Sequence, residues 1–383
     1  MNDIVSTYQK RRNKVIDIGK ILKRAWRILW NYRILWIFGI LLAITSGGGS
    51  GPNGSSGSSN YNINSGNGNP GINWNSSPFL QSLYTWFQQN IEPLVLHPDQ
   101  YIAMFVWIGV GLLLFILIVG LLVSLVRYPS ETALIRMVDE YEGTGVKVSF
   151  RQGWKLGWNR RAFRLWVIDL VVSLPALLLL AILAGLGLLA FLAVRNGSGA
   201  AVAASLITAI GCGFLFILAF IILVVVLSLL RQFFIRKAAL EDASIGESFR
   251  AGWGMLRRNW KSAGLMWLVM LGIGIGFGIA GLIVFFLLIP AYIVLALPAI
   301  IVAFFPGLAV FGITSIFASG PLAWILGVLA ALPFFFLIVF APLTLVNGWY
   351  RIYASSVWTL TYREIQMLES VAAPLAEVQA PEK

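Results

Sequence analysis

From Ser262 to Tyr350 the chain carries not one Asp, Glu, Lys, Arg or His. Such a stretch cannot belong to an ordinary water-soluble domain, where charged residues make up about 25% and are spread throughout. The same segregation holds for the whole chain. Of the 28 Lys and Arg residues, all but Arg195 fall in residues 1–33, 127–164, 231–261 and the tail from Arg351, and none lies in 34–126 or 262–350. With 58% hydrophobic and 11% charged residues, several apolar blocks exceed the roughly 18 residues that mark a spanning helix. They run continuously instead of alternating, and in hydrocarbon only helices or closed barrels satisfy the backbone. The expected fold is all-α: a polytopic transmembrane helical bundle, one integral membrane domain over residues 1–383.

The segments follow. From about Val15 apolar residues (Ile18, Leu22, Trp26, Leu29) recur at helical spacing among Lys20, Lys23, Arg24 and Arg27, which predicts a helix lying in the membrane interface. It runs into a short apolar block, Ile34–Thr45. Residues 46–78 are almost all Gly, Ser and Asn, a composition that buries no core and reads as a flexible outer loop. Phe79–Asn90 is a short amphipathic piece, and Tyr101–Val126 closes a first hairpin (34–126). Residues 127–164 read as a basic loop before a second hairpin, Leu165–Val194 and Ala200–Leu230, joined by the turn RNGSG. Residues 231–261 read as a second basic loop. Ser262–Leu288 and Leu322–Val346 are spans. Between them, 290–320 holds Pro290, Pro298 and Pro306 and reads as too broken for one straight helix, hence as a re-entrant or interfacial hairpin.

The Lys/Arg bias places the four basic segments in the cytoplasm and the Gly/Ser/Asn loop outside. Both termini inside require an even number of spans: six, or eight if 290–320 crosses twice. The N-terminus is too long and polar before its first apolar run for a cleavable signal peptide.

The basic segments resemble each other. Ser149-Phe150-Arg151-Gln152-Gly153-Trp154 matches Ser248-Phe249-Arg250-Ala251-Gly252-Trp253, and Ile135-Arg136 matches Ile235-Arg236, at an offset of about 100 residues. A third copy is Ala25-Trp26 with Trp30-Asn31. Phe249, Trp253, Leu256 and Trp260 share one helix face, and Ser149-x-x-Gln152 and Ser244-x-x-Glu247 have capping-box spacing. The unit is an interfacial helix plus a membrane hairpin, used three times (to 126, 127–230, 231–350). Its functional reading is a contact surface for anionic headgroups or a partner protein at Phe150, Arg151, Trp154, Phe249, Arg250, Trp253 and Trp260, since Trp sits well at headgroup level and Arg meets anionic lipid. Its plain reading is a topological anchor.

Other motifs carry less. Gly276-Phe-Gly278-Ile-Ala-Gly281 and Gly185-Leu-Gly187-Leu-Leu-Ala190 fit the dinucleotide-binding pattern but lie inside apolar spans, without its strand–turn–helix context. Gly272, Gly274, Gly276 and Gly278 have the spacing of close helix packing. The single His97 and single Cys212 build neither a zinc site nor a nucleophile pair, and Cys212 forms no intrachain disulfide. Asp169, just inside an apolar span, is either a proton or cation coupling site or the partner of Arg164, Arg127 or Arg231.

The repeated S-F-R-x-G-W units, each feeding a Trp-flanked hairpin, resemble the membrane domain of bacterial membrane-anchored glycerophosphodiester phosphodiesterases and related polytopic families, over about Ile18–Glu364. In those enzymes the chemistry belongs to a separate soluble domain with metal-binding acids and histidines. No such domain is among these residues, so the resemblance implies a bundle fold and not that activity. The expected function is that of a non-enzymatic, multi-pass cell-membrane component that binds lipid or a partner protein, without cofactor, metal or nucleic acid. The alternative is a transporter with a path at the repeat interface.

Overall fold

The computed structural model describes residues 16–45, 85, 102–196, 199–317 and 321–378. The Gly/Ser/Asn loop, most of Phe79–Asn90 and His97 lie outside them. Among the described residues there are eleven helices and no strand: α1 Ile18–Asn31, α2 Leu35–Thr45, α3 Ile102–Thr144, α4 Phe150–Gly157, α5 Arg160–Asn196, α6 Gly199–Leu240, α7 Ile245–Arg258, α8 Trp260–Leu287, α9 Ile289–Phe317, α10 Pro321–Val339 and α11 Ala341–Val378. Five helices are long and apolar enough to cross a membrane, or up to 7 if each of two bent pairs is one span. The protein is an all-α polytopic membrane protein.

The chain divides into two compact units. One gathers the residues up to Leu42, Leu125–Gly276 and Gly348 onward; the other Ala43–Ser124 and Phe277–Asn347. In the first, α1 is capped by Asp17, whose carboxylate accepts from Lys20 N at 3.1 Å. Its buried residues Ile21, Ala25, Ile28 and Leu29 lie at i, i+4, i+7 and i+8, one stripe of a helix. Each fully buried Ile or Leu contributes about 1.5–3 kcal/mol at most, so this stripe fixes α1 against the core. After Tyr32 the chain turns by 100° into α2. The elbow is held where Trp36 Nε1 donates to Leu29 O at 2.9 Å and the Tyr32 hydroxyl donates to Val148 O at 2.8 Å. The same core includes Phe38 of α2, Leu134 and Met137 of α3, Leu165 and Ile168 of α5, Ile235 of α6, Met266 of α8, and Ile352, Val357 and Ile365 of α11.

Both capping boxes form: Ser149 and Gln152 open α4, and Ser244 and Glu247 open α7. The motif residue Ser248 is not a cap, however. Its helix starts one turn earlier, and the Ser248 hydroxyl, buried, donates to Ser244 O at 2.8 Å. The motif glycines sit at close approaches. A Cβ on Gly153 would lie 2.4 Å from Met137 Sδ and 3.2 Å from Phe38, and one on Gly252 would lie 2.6 Å from Phe234 Cδ1. Glycine is therefore what lets each short helix lie flat on the helix beneath it.

In the second unit, α9 and α10 form an antiparallel hairpin that crosses at Gly307 and Gly327, where a Cβ on either would lie 3.0 Å from the other's carbonyl oxygen. Phe311 and Trp324 touch beside the crossing, tilted to each other, with centroids 4.4 Å apart. At its open end Phe285, Tyr292 and Phe340 touch, with centroids 5.6, 5.8 and 6.3 Å apart. The hairpin thus returns the chain to where it left.

Several sequence readings are corrected. Residues 290–317, the described part of 290–320, are not a broken re-entrant stretch: α9 is continuous through Pro298 and Pro306. Each proline removes one hydrogen bond, a loss that a helix packed against a neighbour tolerates. The basic "loops" are largely helical, since α3 runs through Pro129 to Thr144 and α6 runs on to Leu240. The tail from Arg351 is helical to Val378. The Gly272–Gly278 stripe is split: Gly274 continues the buried line Ala263, Met266 and Met270 of α8, whereas a Cβ at Gly272, Gly276 or Gly278 would meet nothing within 4 Å.

Gly153→Ala and Gly252→Ala are each expected to destabilise the detergent-purified protein by about 1–3 kcal/mol through overpacking, whereas Gly276→Ala is expected to be neutral or stabilising. Thermal unfolding of the three variants checks this.

Candidate functional site

The proposed contact residues fall on α4, α7 and the start of α8, and the structure splits them into two kinds. Phe150 and Trp154 form a row with Phe38 and Trp158, with centroids 5.2 Å (Phe38–Phe150, tilted), 6.3 Å (Phe150–Trp154, tilted) and 5.9 Å (Trp154–Trp158, stacked). Phe150 and Trp158 are exposed, while Trp154 is half-buried. On α7 the face that turns inward is Ser248, Gly252, Met255 and Leu256. Phe249 lies on its flank and packs edge-on against Phe234 at 4.6 Å. The single outward stripe read from Phe249, Trp253, Leu256 and Trp260 is therefore not formed: Leu256 is core, and only Trp253 (51% exposed) and Trp260 (64%) face outward. Trp260 carries the Lys261 ammonium 5.9 Å over its ring. Arg151 and Arg250 are exposed.

Sequence reasoning missed a second aromatic group. Trp30 sits at the elbow between α1 and α2, 5.9 Å from Trp26, 5.6 Å from Trp36 and 5.5 Å from Trp349 of α11; Trp36 and Trp349 are 5.1 Å apart. Trp26 and Trp30 are exposed. Only the spacing of Trp26 and Trp30 on one face of α1 hinted at it.

Around these rings the charges are unequal. The acids among the described residues of this unit are mostly consumed internally. Glu142 and Glu364 pair with Arg24, Asp139 with Arg363 at 3.1 Å, and Glu369 with Arg258 at 2.8 Å. Asp242, with φ +56° just past the end of α6, pairs with Arg161 at 3.2 Å and Arg164 at 2.7 Å. Hydrogen bonding from Arg161 holds its carboxyl below the usual range. The same two arginines donate to Ala239 O, Asp242 O and Ala243 O, satisfying carbonyls that the helix end leaves open. In contrast Lys20, Lys23, Arg27, Arg151, Lys155 and Arg250 are exposed, with no acid within ion-pair distance among the described residues.

Asp169 is not a free intramembrane acid. Arg231 Nε donates to its Oδ1 at 2.5 Å, the Tyr128 hydroxyl to its Oδ2 at 2.7 Å, and Arg127 Nη2 lies 3.5 Å from the same oxygen. Arg231 also reaches Glu131 at 3.2 Å. Arg164, the third partner weighed from sequence, is taken by Asp242. Among the described residues no group of three His, Cys, Asp or Glu could hold a metal ion. The two glycine patterns lie within α5 and α8, not on loops.

Long apolar helices with the charged residues gathered on separate segments define an all-α polytopic membrane protein. Residues 15–368 match the family of unknown function DUF7544, and the chain belongs to that family. No curated protein and no solved structure matches it.

Asp169→Asn leaves Arg231 and Arg127 short of a counter-charge. Breaking a buried pair costs about 3–5 kcal/mol; these side chains retain 19% and 21% exposure, so a loss of about 2–3 kcal/mol is expected. It would appear as a lowered unfolding midpoint in detergent, with the fold retained.

Proposed function

We propose that the protein is a non-enzymatic component of the cell membrane whose interfacial helices engage anionic lipid headgroups, with both termini in the cytoplasm. The observation that carries this reading is the rim of α1, α4 and α7. Exposed Trp26, Phe150, Trp158 and Trp253 lie there among exposed cations that pair with no acid among the described residues. Indole rings favour the headgroup layer, and each Lys or Arg near an anionic surface contributes about 1 kcal/mol. The Lys/Arg distribution supports the cytoplasmic assignment. Segments far apart in sequence (Arg24 with Glu364, Arg363 with Asp139, Arg258 with Glu369) also pair with one another, which supports one shared side. Matching capping boxes and glycine contacts in α4 and α7 support an internal repeat of interfacial helix plus hairpin. The resemblance to membrane domains of bacterial anchored phosphodiesterases, where the membrane part holds no catalytic groups, points the same way.

The transporter reading keeps little support from Asp169, because two arginines and a tyrosine already occupy its carboxylate.

Native mass spectrometry of the gently extracted protein tests the binding reading. Retained anionic phospholipid is expected on the wild type and is expected to fall severalfold in a Trp253→Ala, Arg250→Gln double variant, both positions being exposed and structurally tolerant. Equal lipid retention by the two proteins would sink the proposal and bring flux assays in liposomes to the front.

A further inference from the structure

A cleft of about 410 Å³ opens within the first unit, lined among others by Arg24 of α1, Glu142 of α3 and Leu360, Arg363, Glu364 and Met367 of α11. Ligand sites commonly span about 300–1,000 Å³. The four α11 residues stand at i, i+3, i+4 and i+7, one stripe of that helix. Unlike Lys20, Lys23 and Arg27 on the same helix, Arg24 is paired. Its Nη1 donates to Glu364 Oε1 at 3.2 Å and its Nη2 pairs with Glu142 Oε1. Among the described residues nothing donates to Oε2 of either glutamate. Arg363 pairs through Nε with Asp139 Oδ1 at 3.1 Å and donates from Nη1 to Asp139 O at 3.0 Å, while its Nη2 donates to no described residue. Water reaches these groups, since the side chains of Glu142, Arg363 and Glu364 keep 20%, 31% and 32% exposure. Leu360, 1% exposed, closes the cleft at depth, and Met367, 53% exposed, stands at its edge.

The lining therefore offers open carboxylate oxygens, an open guanidinium N–H group and two apolar side chains. Arg24 and Arg363 balance Glu142 and Glu364, so a ligand with net charge of either sign would bring in a charge that nothing compensates. A zwitterion does not. We propose that this cleft binds a small water-borne zwitterion of the apolar amino-acid class. Its ammonium donates to Glu142 and Glu364, its carboxylate accepts from Arg363 Nη2, and its apolar side chain lies against Leu360 and Met367. Charge-assisted hydrogen bonds of these two kinds are the strong ones. The rim described above offers cations without acids and suits an anionic surface, whereas in the cleft each cation is matched by an acid. Position along α11 also favours a free solute over a headgroup. Tyr353, which packs on Trp26 with centroids 6.0 Å apart, lies about 10–21 Å before Leu360 and Met367 at the helical rise, so the cleft belongs to the charged end of that helix.

Thermal unfolding of the full chain in detergent, titrated at constant ionic strength with leucine, 3-methylbutylamine or 4-methylpentanoate, tests this. The last two are leucine without its carboxylate and without its ammonium. Leucine is expected to stabilise the wild type in a saturable way, and each half-ligand to need about tenfold more or to fail. Glu364→Gln and Arg363→Gln are each expected to raise the leucine half-saturation about tenfold, and Met367→Ala to raise it severalfold. Half-saturation is read from the shift with concentration, so a lower starting midpoint in a variant does not obscure it. Glu140→Gln removes the same charge from an exposed α3 residue outside the lining and should respond like the wild type. A wild type that leucine does not stabilise, equal stabilisation by either half-ligand, or unchanged half-saturation in Glu364→Gln and Arg363→Gln overturns the proposal.

Discussion

Arg231 is the residue on which the polar interior depends. Its guanidinium is held between Asp169 of α5 and Glu131 of α3, so one side chain from α6 ties three long helices at one depth. Two unit charges 4 Å apart attract by about 4 kcal/mol at an effective dielectric of 20, but removing them from water offsets much of that. The contribution lies more in register than in net stability. The helices could slide past one another in lipid, where apolar contacts differ little from lipid contacts. A charge that finds its counter-charge at one register only forbids that sliding. By comparison Arg258, 64% exposed in its pair with Glu369, adds little, as surface pairs generally do.

Outside this interior the solvent changes. Leu178, Phe214 and Leu287 are two-thirds exposed or more, which in water would drive aggregation and in hydrocarbon is the ordinary state of a spanning helix. The exposed Trp26, Trp158 and Trp253 and the exposed Lys and Arg of this unit lie on or beside α1, α4 and α7. The amphipathic helices α1, α4 and α7 are short because they bury only one face, and each relies on a local device: the Asp17 cap for α1, and a capping box with a close-packed glycine for α4 and α7.

Much of this was legible in the sequence, and its failures share one cause. Charge segregation located the membrane, and the Ser-x-x-Gln and Ser-x-x-Glu spacings located the starts of α4 and α7, because capping is a local interaction. For Asp169 the sequence left a coupling role or a pair with Arg164, Arg127 or Arg231 open, and the structure pairs it with the last two. Helix ends were misjudged because charge marks where lipid ends, not where hydrogen bonding ends; α3 continues for many residues past Arg127. Prolines at 298 and 306 read as breaks because the packing that tolerates them comes from α10, the other arm of the hairpin, and not from the residues around them. Arg236 could not be seen as buried, since its burial is produced by α11, more than a hundred residues away in the chain.

The proposed function requires α4, α7 and the end of α11 to lie on one side of the membrane. Single cysteines at Lys155, Arg250 and Met367, in a Cys212→Ser background, can be probed with a membrane-impermeant maleimide in sealed right-side-out vesicles. All three positions are predicted to be protected until the vesicles are opened, and then to react together. Labelling of any one of them from the outside while another stays protected would contradict the account.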